Sequence, residues 1–568
     1  MLNLRPIRPE WLTLIVSAAL LMFYNLPLWQ HLYQVLAPHG MADAVFTLLA
    51  IGILFVAAFN LVLTLLAFRW IFKPLLTLLL LSAAGVAYFM NQYGVMIDTE
   101  MLRNTLETDV AEVGDLLSLK LAAYLLVLGV LPVWLLWRTP VRYRPWPREV
   151  LSKLVSGTAT AAVMVAVAML DYQSLSSLFR NHHEIHLQLT PSNMVGALID
   201  YGENAFAAPR GPLRPIATDA VRVVRAGAGA RKTLTVLVVG ESARAENFGL
   251  DGYKRDTTPE LQREEGVVSF TAMQSCGTET AVSVPCMFSN LTRAKYSDSQ
   301  AKSQENLLDV LKRAGYDVIW RDNQAGCKET CNRVAFQSLT KSKDPVLCGD
   351  GECHDEILLQ DLQGLIDHLQ RDTVLVLHQM GSHGPAYFKR YPAAFEHFTP
   401  VCASNELSDC SRESIINGYD NTIRYTDHVL ASLIDTLRAN QGKVDTAMLY
   451  LSDHGESLGE YNVYLHGMPY SFAPAEQKHV ASIAWFSPGY QRSAGIDTRC
   501  LAAQRDAPLS QDNLFHSMLG LLGVRTQAYG ADLDMFAGCR SRAGSTGARI
   551  AAAESVSVKP GHEQQQVQ

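Results

Sequence analysis

Hydrophobic residues are distributed unevenly along the chain, and their pattern divides it into two parts. Charge-free apolar runs occupy residues 11–30, 44–68, 74–97, 121–137 and 154–170. Each run approaches or exceeds the roughly 17 to 25 residues that a helix needs to cross a bilayer. The rest of the chain contains no run of this kind. The pattern predicts a transmembrane domain of five helices over residues 1–171.

Beyond this segment, short apolar runs rich in β-branched residues alternate with amphipathic segments. The predicted strands are 234–239, 318–320, 374–378, 447–452 and 481–486, and the predicted helices are 305–314, 415–438 and 512–522. This alternation is typical of an α/β domain with a mainly parallel sheet between helices. We expect the domain to span residues 232–545, with ligands gathered beyond the carboxyl ends of the strands.

Two further stretches flank this domain. Residues 172–231 predict a bridging helix at the membrane surface followed by a linker, because prolines and a Gly/Ala stretch interrupt the second half. Residues 546–568 are rich in Ala, Ser and Gln and predict a disordered tail. Three histidines of the bridge are expected to be solvated, namely His182, His183 and His186.

The placement of positive charges predicts the orientation in the membrane. Lys and Arg residues cluster before the first apolar run, between the second and third, and between the fourth and fifth. By contrast, residues 31–43 have none, and residues 98–120 have two against six Asp and Glu. The positive-inside rule therefore predicts a cytoplasmic amino terminus, and five crossings leave everything after Asp171 outside the cytoplasm.

All ten cysteines lie beyond the last predicted crossing, which supports the export of that part. An even number confined to one side of the membrane is typical of disulfides in an oxidising compartment. Near-neighbour pairing is the simplest connectivity, and Cys276 with Cys286 is the foremost pair. The alternative is a zinc cluster of four of them (327, 331, 348 and 353), which would need reduced thiols. The ten are Cys276, Cys286, Cys327, Cys331, Cys348, Cys353, Cys402, Cys410, Cys500 and Cys539.

Composition narrows the classes of function. The net charge is -7, with 18% of residues charged, and no basic face is visible. A nucleic-acid-binding protein needs such a face to neutralise phosphates, so this class is excluded. The long apolar runs also exclude a fully soluble protein, a collagen-like fibre and a disordered chain.

Three predicted strands end in residues that can bind a metal or a substrate. Glu241 follows the first strand, His383 lies in the turn after strand 374–378, and Asp453 and His454 follow strand 447–452. Carboxylates and imidazoles at separate strand ends can converge on one metal, and this donor set suits zinc. Taken singly, such residues are more often helix caps or satisfied polar groups. Their coincidence at three strand ends favours a functional site.

The segment 275–286 supplies a candidate nucleophile. Thr278 and Thr280 stand at the start of a predicted helix, where unpaired backbone N–H groups favour anions such as a phosphoryl group. Metal coordination would lower the pKa of such a hydroxyl and activate it. The alternative is that either threonine only caps the helix.

Taken together, these motifs resemble the phosphoethanolamine transferases of Gram-negative inner membranes, especially the enzymes that modify lipid A. The resemblance rests on Gly-Glu-Ser-Ala-Arg at 240–244, the segment 276–289, Gly-Ser-His-Gly-Pro at 381–385, Ser-Asp-His-Gly-Glu at 452–456 and His-Gly at 466–467. It covers essentially the whole chain. It implies an alkaline-phosphatase-like (sulfatase-like) fold for the exported domain.

The resemblance also implies roles for individual residues. It makes Thr280 the nucleophile, and it makes Glu241, Asp453 and His454 ligands of Zn²⁺ together with the Thr280 oxygen. His383 and His466 would line an adjoining position for the substrate or a second metal, and Lys328 would face the phosphate. The ethanolamine head group would be held by Asn104, Thr108 and Glu112. The chain departs from the family pattern at Ala325, where a serine is expected.

An enzyme of this kind would transfer phosphoethanolamine from phosphatidylethanolamine to a lipid A phosphate through a phosphothreonine-type intermediate. It would act as a monomer in the bacterial inner membrane, with the catalytic domain in the periplasm, and would give resistance to polymyxin and cationic antimicrobial peptides. The sequence leaves other functions open. These are a transferase for lipopolysaccharide core sugars, a glycerol phosphate transferase, an exported sulfatase or phosphodiesterase, and a membrane sensor that binds metal without turnover.

Overall fold

The computed structural model describes residues 6–107, 114, 116–171, 174–175, 178–179, 182, 184–207, 213–224, 231–349, 352–541 and 549–550. Within these ranges the chain forms a helical membrane domain, a bridging segment and an exported α/β domain. The helices are α1 (Pro9–Tyr24), α2 (Leu26–Leu36), α3 (Met41–Leu66), α4 (Phe72–Tyr93), α5 (Thr99–Glu107), α6 (Leu119–Arg138), α7 (Trp146–Leu170), α8 (Ile185–Gln188), α9 (Ser192–Ala207), α10 (Thr280–Met287), α11 (Asp298–Lys302), α12 (Leu307–Arg313), α13 (Leu362–Asp367), α14 (Arg412–Ala439), α15 (Pro488–Ala494), α16 (Thr498–Ala503) and α17 (Asp512–Leu521).

Among the described residues, four helices are long and apolar enough to cross a membrane, namely α3, α4, α6 and α7. The pair α1 and α2 passes the same test, but the two helices are bent by 70° at the break between them. Within α6, residues Leu125–Val130 form a π-helix. The chain therefore has four candidate spans, or five if the bent pair counts as one.

The bend between α1 and α2 falls at Asn25, whose buried side chain explains it. Its Nδ2 donates to the carbonyls of Leu20 and Thr190 at 2.9 and 2.8 Å, and its Oδ1 accepts from the Thr190 N–H at 2.7 Å. Pro27 follows at the start of α2 and lacks the N–H that would continue the α1 hydrogen-bond ladder. The apolar run 11–30 is thus interrupted, and the interruption is tied to the bridging segment.

The bridging segment contains more structure than the single helix and linker expected from the sequence. Pro191 separates α8 from α9, because proline cannot continue a helix that precedes it. Val221–Val224, within the predicted linker, is a strand that pairs with Val524–Arg525 and with Arg549–Ile550. The last of these strands lies in the predicted disordered tail, so the prediction is wrong for those two residues; residues 551–568 lie outside the described ranges.

The exported domain is built on a seven-stranded sheet. Its strands are β1 (Thr233–Gly240), β2 (Val268–Ser269), β3 (Asp317–Asp322), β4 (Ala335–Ser338), β5 (Thr373–His378), β6 (Asp445–Ser452) and β7 (Ser482–Phe486). Their order in the sheet is β2-β7-β6-β1-β5-β3-β4. The five strands from β6 to β4 are parallel, and β7 runs antiparallel to both of its neighbours. The five predicted strands are present, but the short strands β2 and β4 were not expected.

Side chains of the central strands alternate between two hydrophobic cores, one on each face of the sheet. In β1, Leu234, Val236 and Val238 enter one core, whereas Leu237 and Val239 enter the other. Helices α13 and α14 cover the first face, and α10, α12 and α17 cover the second. Burial on both faces explains why these strands read as continuous apolar runs.

The exported domain is seated on the membrane domain through the loop that follows α4. Helix α5 packs against α10, and Met101 of α5 lies against Gly467. Arg103 Nη1 lies 3.4 Å from Asp298 Oδ1. The buried hydroxyl of Tyr88 on α4 donates to Glu406 Oε1 at 2.6 Å. These contacts hold α5 and the end of α4 directly beside the α/β domain.

Five disulfides account for all ten cysteines, and each joins neighbours along the chain. This connectivity matches the near-neighbour prediction, including the foremost pair, and it excludes the alternative zinc cluster because all four of its cysteines are bonded in pairs. The disulfides are Cys276–Cys286, Cys327–Cys331, Cys348–Cys353, Cys402–Cys410 and Cys500–Cys539.

Substituting both members of Cys500–Cys539 with alanine is expected to destabilise the protein more than the same change at Cys327–Cys331. The first disulfide spans 39 residues and the second spans 4. Loop-closure entropy then gives losses of about 4 and about 2 kcal/mol. Thermal unfolding of the detergent-solubilised chain, followed by circular dichroism, measures the two changes. An equal or larger loss at Cys327–Cys331 would contradict the prediction.

Candidate active site

The polar residues predicted at the strand ends come together at one edge of the sheet. Strands β6, β1 and β5 end in register at this edge. Glu241 follows β1, and Asp453 and His454 follow β6. All three side chains are 0% exposed, and their ligand atoms lie within 4.8 Å of one another.

The nucleophile candidate Thr280 faces this cluster as the first residue of α10. Its Oγ1 donates to Glu241 Oε2 at 2.9 Å and lies 3.3 Å from His454 Nε2. The N-cap position of the helix is occupied by Glu279. Thr278 does not cap it either, because its hydroxyl donates to the Met468 carbonyl at 2.6 Å. The capping alternative is therefore wrong for both threonines.

The electrostatics of the cluster call for a cation. Burial, reinforced by the charge of Glu241, raises the pKa of Asp453. Burial would lower the pKa of His454, but the two adjacent carboxylates raise it. Burial alone would raise the pKa of Glu241, yet the charge of His454 holds it well below its usual range. Two carboxylates buried this close to each other therefore favour a positive charge between them.

The donor atoms of this cluster fit Zn²⁺. His454 Nε2 lies 3.2 Å from Glu241 Oε1 and 3.4 Å from Asp453 Oδ2. The other imidazole nitrogen, Nδ1, donates to the Gly455 carbonyl at 2.9 Å, which directs the Nε2 lone pair into the cluster. Asp453 Oδ2 is buried and makes no hydrogen bond within the described part of the chain. One imidazole, two carboxylates and the Thr280 oxygen form a suitable tetrahedral set.

Neighbouring groups fix the orientation of the two carboxylates. Ser242 Oγ donates to Glu241 Oε1 at 2.8 Å, and Gln324 Nε2 donates to Glu241 Oε2 at 2.9 Å. Asp453 Oδ1 accepts backbone N–H groups of His454 and Ser242 at 2.7 and 3.3 Å. Sequence analysis missed Gln324, although its place just beyond β3 repeats the strand-end pattern. It adjoins Ala325, the position that departs from the family pattern.

Two glycines of the motifs are required by close backbone contacts. A Cβ atom at position 455 would lie 2.0 Å from the Glu476 carbonyl oxygen. Gly381 has a φ of +52°, and a Cβ atom there would lie 2.6 Å from the Glu241 carbonyl oxygen. Both glycines therefore allow neighbouring chain segments to approach the ligand residues closely.

Both histidines predicted to adjoin the cluster do so. The ring centroid of His466 lies 4.3 Å from that of His454 and 5.4 Å from that of His383. His466 Nδ1 lies 2.8 Å from Glu456 Oε2, and the other oxygen of that carboxylate accepts from the Tyr387 hydroxyl at 2.5 Å. The Glu456 carboxylate thus orients His466 beside His454.

Two further buried groups near the site were not singled out from the sequence. Glu279 immediately precedes the nucleophile, and neither of its carboxylate oxygens is hydrogen-bonded within the described residues. Burial, followed by the charges of Glu100 and Asp98, raises its pKa well above the usual range. His378 ends β5, with its Nδ1 2.8 Å from Asp322 Oδ1. A charged residue between two threonines was the sequence signal available for Glu279.

The remaining predicted residues have mixed outcomes. Lys328 lies in the loop closed by the Cys327–Cys331 disulfide, with a φ of 48°, beside Pro285 at the middle of α10. Its contact with a phosphate stays a prediction. Asn104 lies on α5 and lines the cavity that contains His383 and His466. Thr108 and Glu112 lie outside the described residues.

That cavity extends from the membrane domain to His383 and His466, and His466 packs against His454 of the cluster. It has a volume of about 440 Å³ and largely apolar walls. Phe89 and Tyr93 of α4 and Leu198 of α9 line one part, and the two histidines line another. A buried hydroxyl at a helix start, a carboxylate cluster that could hold a metal and an apolar approach together suit group transfer from an amphipathic phosphoester.

Two family descriptions match the chain. The first is Sulfatase, over residues 233–524, and it corresponds to the exported α/β domain. The second is Phosphoethanolamine transferase EptA/EptB, over residues 55–206, and it covers most of the membrane domain and the bridging segment. The alkaline-phosphatase-like fold expected for the exported domain is thereby confirmed.

Relatives match over nearly the whole length. The phosphoethanolamine transferase EptA of Salmonella typhimurium strain LT2 is 41% identical over 532 residues, covering 93% of this chain and 96% of the relative. The phosphatidylethanolamine transferase Mcr-1 of Escherichia coli is 38% identical over 531 residues, covering 92% and 96%.

A solved structure is similar across both domains. It is the integral membrane protein lipooligosaccharide phosphoethanolamine transferase A (EptA) from Neisseria meningitidis, with a TM-score of 0.91, 35% identity and coverage of 94% of this chain and 100% of that chain. The protein lies in the bacterial inner membrane with its sulfatase-like domain in the periplasm, as predicted from its sequence. Because these similarities extend over both domains at such identity, the chain belongs to the phosphoethanolamine transferase family.

Proposed function

We propose that the protein transfers phosphoethanolamine from phosphatidylethanolamine to a phosphate of lipid A. The observation that carries this proposal is the cavity that runs from α4 to His383 and His466, the second of which packs against His454. Apolar walls next to the membrane and polar groups next to the nucleophile match a lipid with a phosphodiester head group. The names of the relatives, phosphoethanolamine transferase EptA and phosphatidylethanolamine transferase Mcr-1, support the same donor chemistry.

The proposed topology has five crossings, with the bent pair α1 and α2 as the first. The predominance of Lys and Arg in alternate loops places the amino terminus in the cytoplasm. An odd number of crossings is then needed for the sulfatase-like domain to face the periplasm. This arrangement puts α5 and the mouth of the cavity on the side where both lipids meet the enzyme.

In the proposed mechanism, Glu241, Asp453, His454 and the Thr280 oxygen hold Zn²⁺. When bound, zinc lowers the pKa of a hydroxyl that it contacts and offsets negative charge on the transferring group. The chain's own contribution is positional, because Gln324 and Ser242 lock the Glu241 carboxylate in place. The second ligand, Asp453, is fixed by two backbone N–H groups.

The first half-reaction uses Thr280 as the nucleophile. Its Oγ1, which gives up its proton to water, forms a bond to phosphorus, and the bond between phosphorus and the glycerol oxygen breaks. His466, oriented by Glu456, gives a proton to that oxygen and releases diacylglycerol. The product is a phosphoethanolamine ester of Thr280.

The second half-reaction moves the group to the acceptor. An oxygen of the lipid A phosphate attacks phosphorus, the bond to Thr280 Oγ1 breaks, and the Thr280 oxygen takes back a proton from water. The proton of the acceptor phosphate restores His466. Adding an ammonium group to a lipid phosphate lowers the negative charge of the cell surface, so polymyxin and other cationic peptides bind it less well.

Substitutions at Thr280 test the nucleophile. Thr280→Ala is expected to lower transfer at least a thousandfold, because the attacking oxygen is lost. Thr280→Ser keeps the hydroxyl and should retain part of the activity. Thr278→Ala is the matched control, since its hydroxyl contacts only the Met468 carbonyl in the described structure; its transfer should stay within about tenfold of the parent.

The same proteins, incubated with phosphatidylethanolamine and no acceptor, reveal the intermediate by intact mass and peptide mapping. We expect one phosphoethanolamine adduct on Thr280 in the parent and none in Thr280→Ala. An adduct on another residue, or full turnover by Thr280→Ala, would exclude Thr280 as the nucleophile. A normal adduct without transfer to lipid A would instead contradict the proposal that lipid A is the acceptor.

Metal removal tests the Zn²⁺ site separately. Stripping the enzyme with a chelator should abolish transfer, and added Zn²⁺ should restore it, because Thr280 then regains its activation. Glu241→Gln should remain inactive at the same zinc concentration. Transfer that survives complete removal of metal, measured by elemental analysis of the same sample, would overturn the assignment of these ligands.

A further inference from the structure

A second cluster of metal-binding side chains lies where the bridging segment meets α2. His31 of α2, His182 of the bridge and Glu184 at the start of α8 offer ligand atoms that lie within 4.8 Å of one another. The cluster is half-buried, with side chains 24%, 30% and 16% exposed. The cluster lies between α2 and the bridging segment, whereas Thr280 lies in the exported domain, where α10 packs against α5. Of the other bridge histidines, His186 is exposed as expected, and His183 lies outside the described residues.

The imidazole of His31 is oriented as a metal ligand is. Its Nδ1 lies 2.8 Å from Gln188 Oε1, an acceptor oxygen that requires the proton to be on Nδ1. The Nε2 lone pair is then directed to the Glu184 carboxylate, with Nε2 3.5 Å from Oε1. Outer hydrogen bonds of this kind commonly fix the tautomer of zinc-bound histidines.

Two lone pairs facing each other at this distance repel unless a cation or a proton lies between them. The separations suit a zinc ion. Ligand bonds of about 2.0 to 2.2 Å in a tetrahedral site place neighbouring ligand atoms roughly 3.3 to 3.6 Å apart. The pair His31 and Glu184 already has this spacing, and His182 Nδ1 lies 2.9 Å from Glu184 Oε1. Lengthening the distance between His182 Nδ1 and Glu184 Oε1 by about half an ångström would bring this pair to the same spacing.

The surrounding fold would survive the loss of this cluster. Asn25 and Thr190 join α2 to the same bridge through hydrogen bonds of 2.8 and 2.7 Å that involve neither histidine. Leu28, Leu32 and Ile185 also pack in one hydrophobic core across the same junction. Other contacts therefore already stabilise this junction. Because the three side chains of the cluster are not required for folding, they can serve to bind a ligand.

We propose that His31, His182 and Glu184 bind a divalent transition metal, Zn²⁺ in the first instance, at the junction of α2 and the bridging segment. Two imidazoles and one carboxylate are a recurrent zinc ligand set, with water as the fourth ligand. The bound ion would fix the bridging segment to α2. It would thereby fix the point at which the chain leaves the membrane domain. It is independent of the metal proposed at Thr280.

The test counts metal in the full-length protein in detergent, after removal of any affinity tag. Asp453→Asn with His454→Ala removes the ligands of the catalytic site and provides the background. After chelation and dialysis against Zn²⁺, elemental analysis should find one zinc per chain in this background. Replacement with Co²⁺ should give the visible absorption of a tetrahedral complex.

Adding His31→Ala, or the isosteric Glu184→Gln, to the background variant should abolish both the binding of this one zinc per chain and the cobalt spectrum. His186→Ala is the matched control, since it deletes an exposed histidine of the same segment, and it should keep both. The proposal is overturned if the background binds no zinc, or if His31→Ala and Glu184→Gln leave the zinc and the spectrum unchanged. Transfer activity of Glu184→Gln in the unaltered chain confirms that the variant folds, and the metal count is read independently of it.

Discussion

Two carboxylates buried side by side without a counter-charge would be strongly unfavourable, and the design of the exported domain follows from that constraint. Each unpaired buried ion costs several kcal/mol even after relaxation. Glu241 and Asp453 are brought together by the register of β1 and β6, and the neighbouring imidazole supplies only one positive charge. The proposed zinc ion satisfies both carboxylates, and the hydrogen bonds from Ser242 and Gln324 hold one of them where the ion must lie. The glycines at 381 and 455 then follow, because nothing larger fits against this packed edge.

A second requirement is that a reaction between polar groups takes place beside lipid. The chain meets it by packing α5 against the helix that begins with Thr280, and by burying the Tyr88 contact with Glu406 between the domains. The same packing encloses Glu279, so that the residue preceding the nucleophile is shielded from solvent. The candidate active site is thus shaped by both domains, although the residues proposed to bind metal all come from one.

Most of the fold could be predicted from the sequence, because the main strands are buried on both faces and their apolar runs have no competing explanation. The convergence of Glu241, Asp453 and His454 was also predictable, since parallel strands end at one edge. By contrast, β4 was missed because its four residues are exposed and carry no apolar pattern. The break at Asn25 depends on Thr190, which is 165 positions away, and no local pattern reveals such a pairing. Gln324 and Glu279 were missed for a related reason, since burial gives them their roles and burial of a polar side chain is not visible in sequence.

The cavity bordered by Phe89 and Tyr93 has a consequence for how the enzyme's kinetics must be described. The proposed donor lipid enters from the bilayer and is never dissolved in the aqueous phase, so its molar concentration in the sample does not govern its encounter with Thr280. The governing quantity is the mole fraction of donor in the surrounding membrane or micelle. Extra detergent at constant lipid would therefore slow the reaction by surface dilution. Rates measured in micelles and in vesicles become comparable only when both are expressed on that two-dimensional scale.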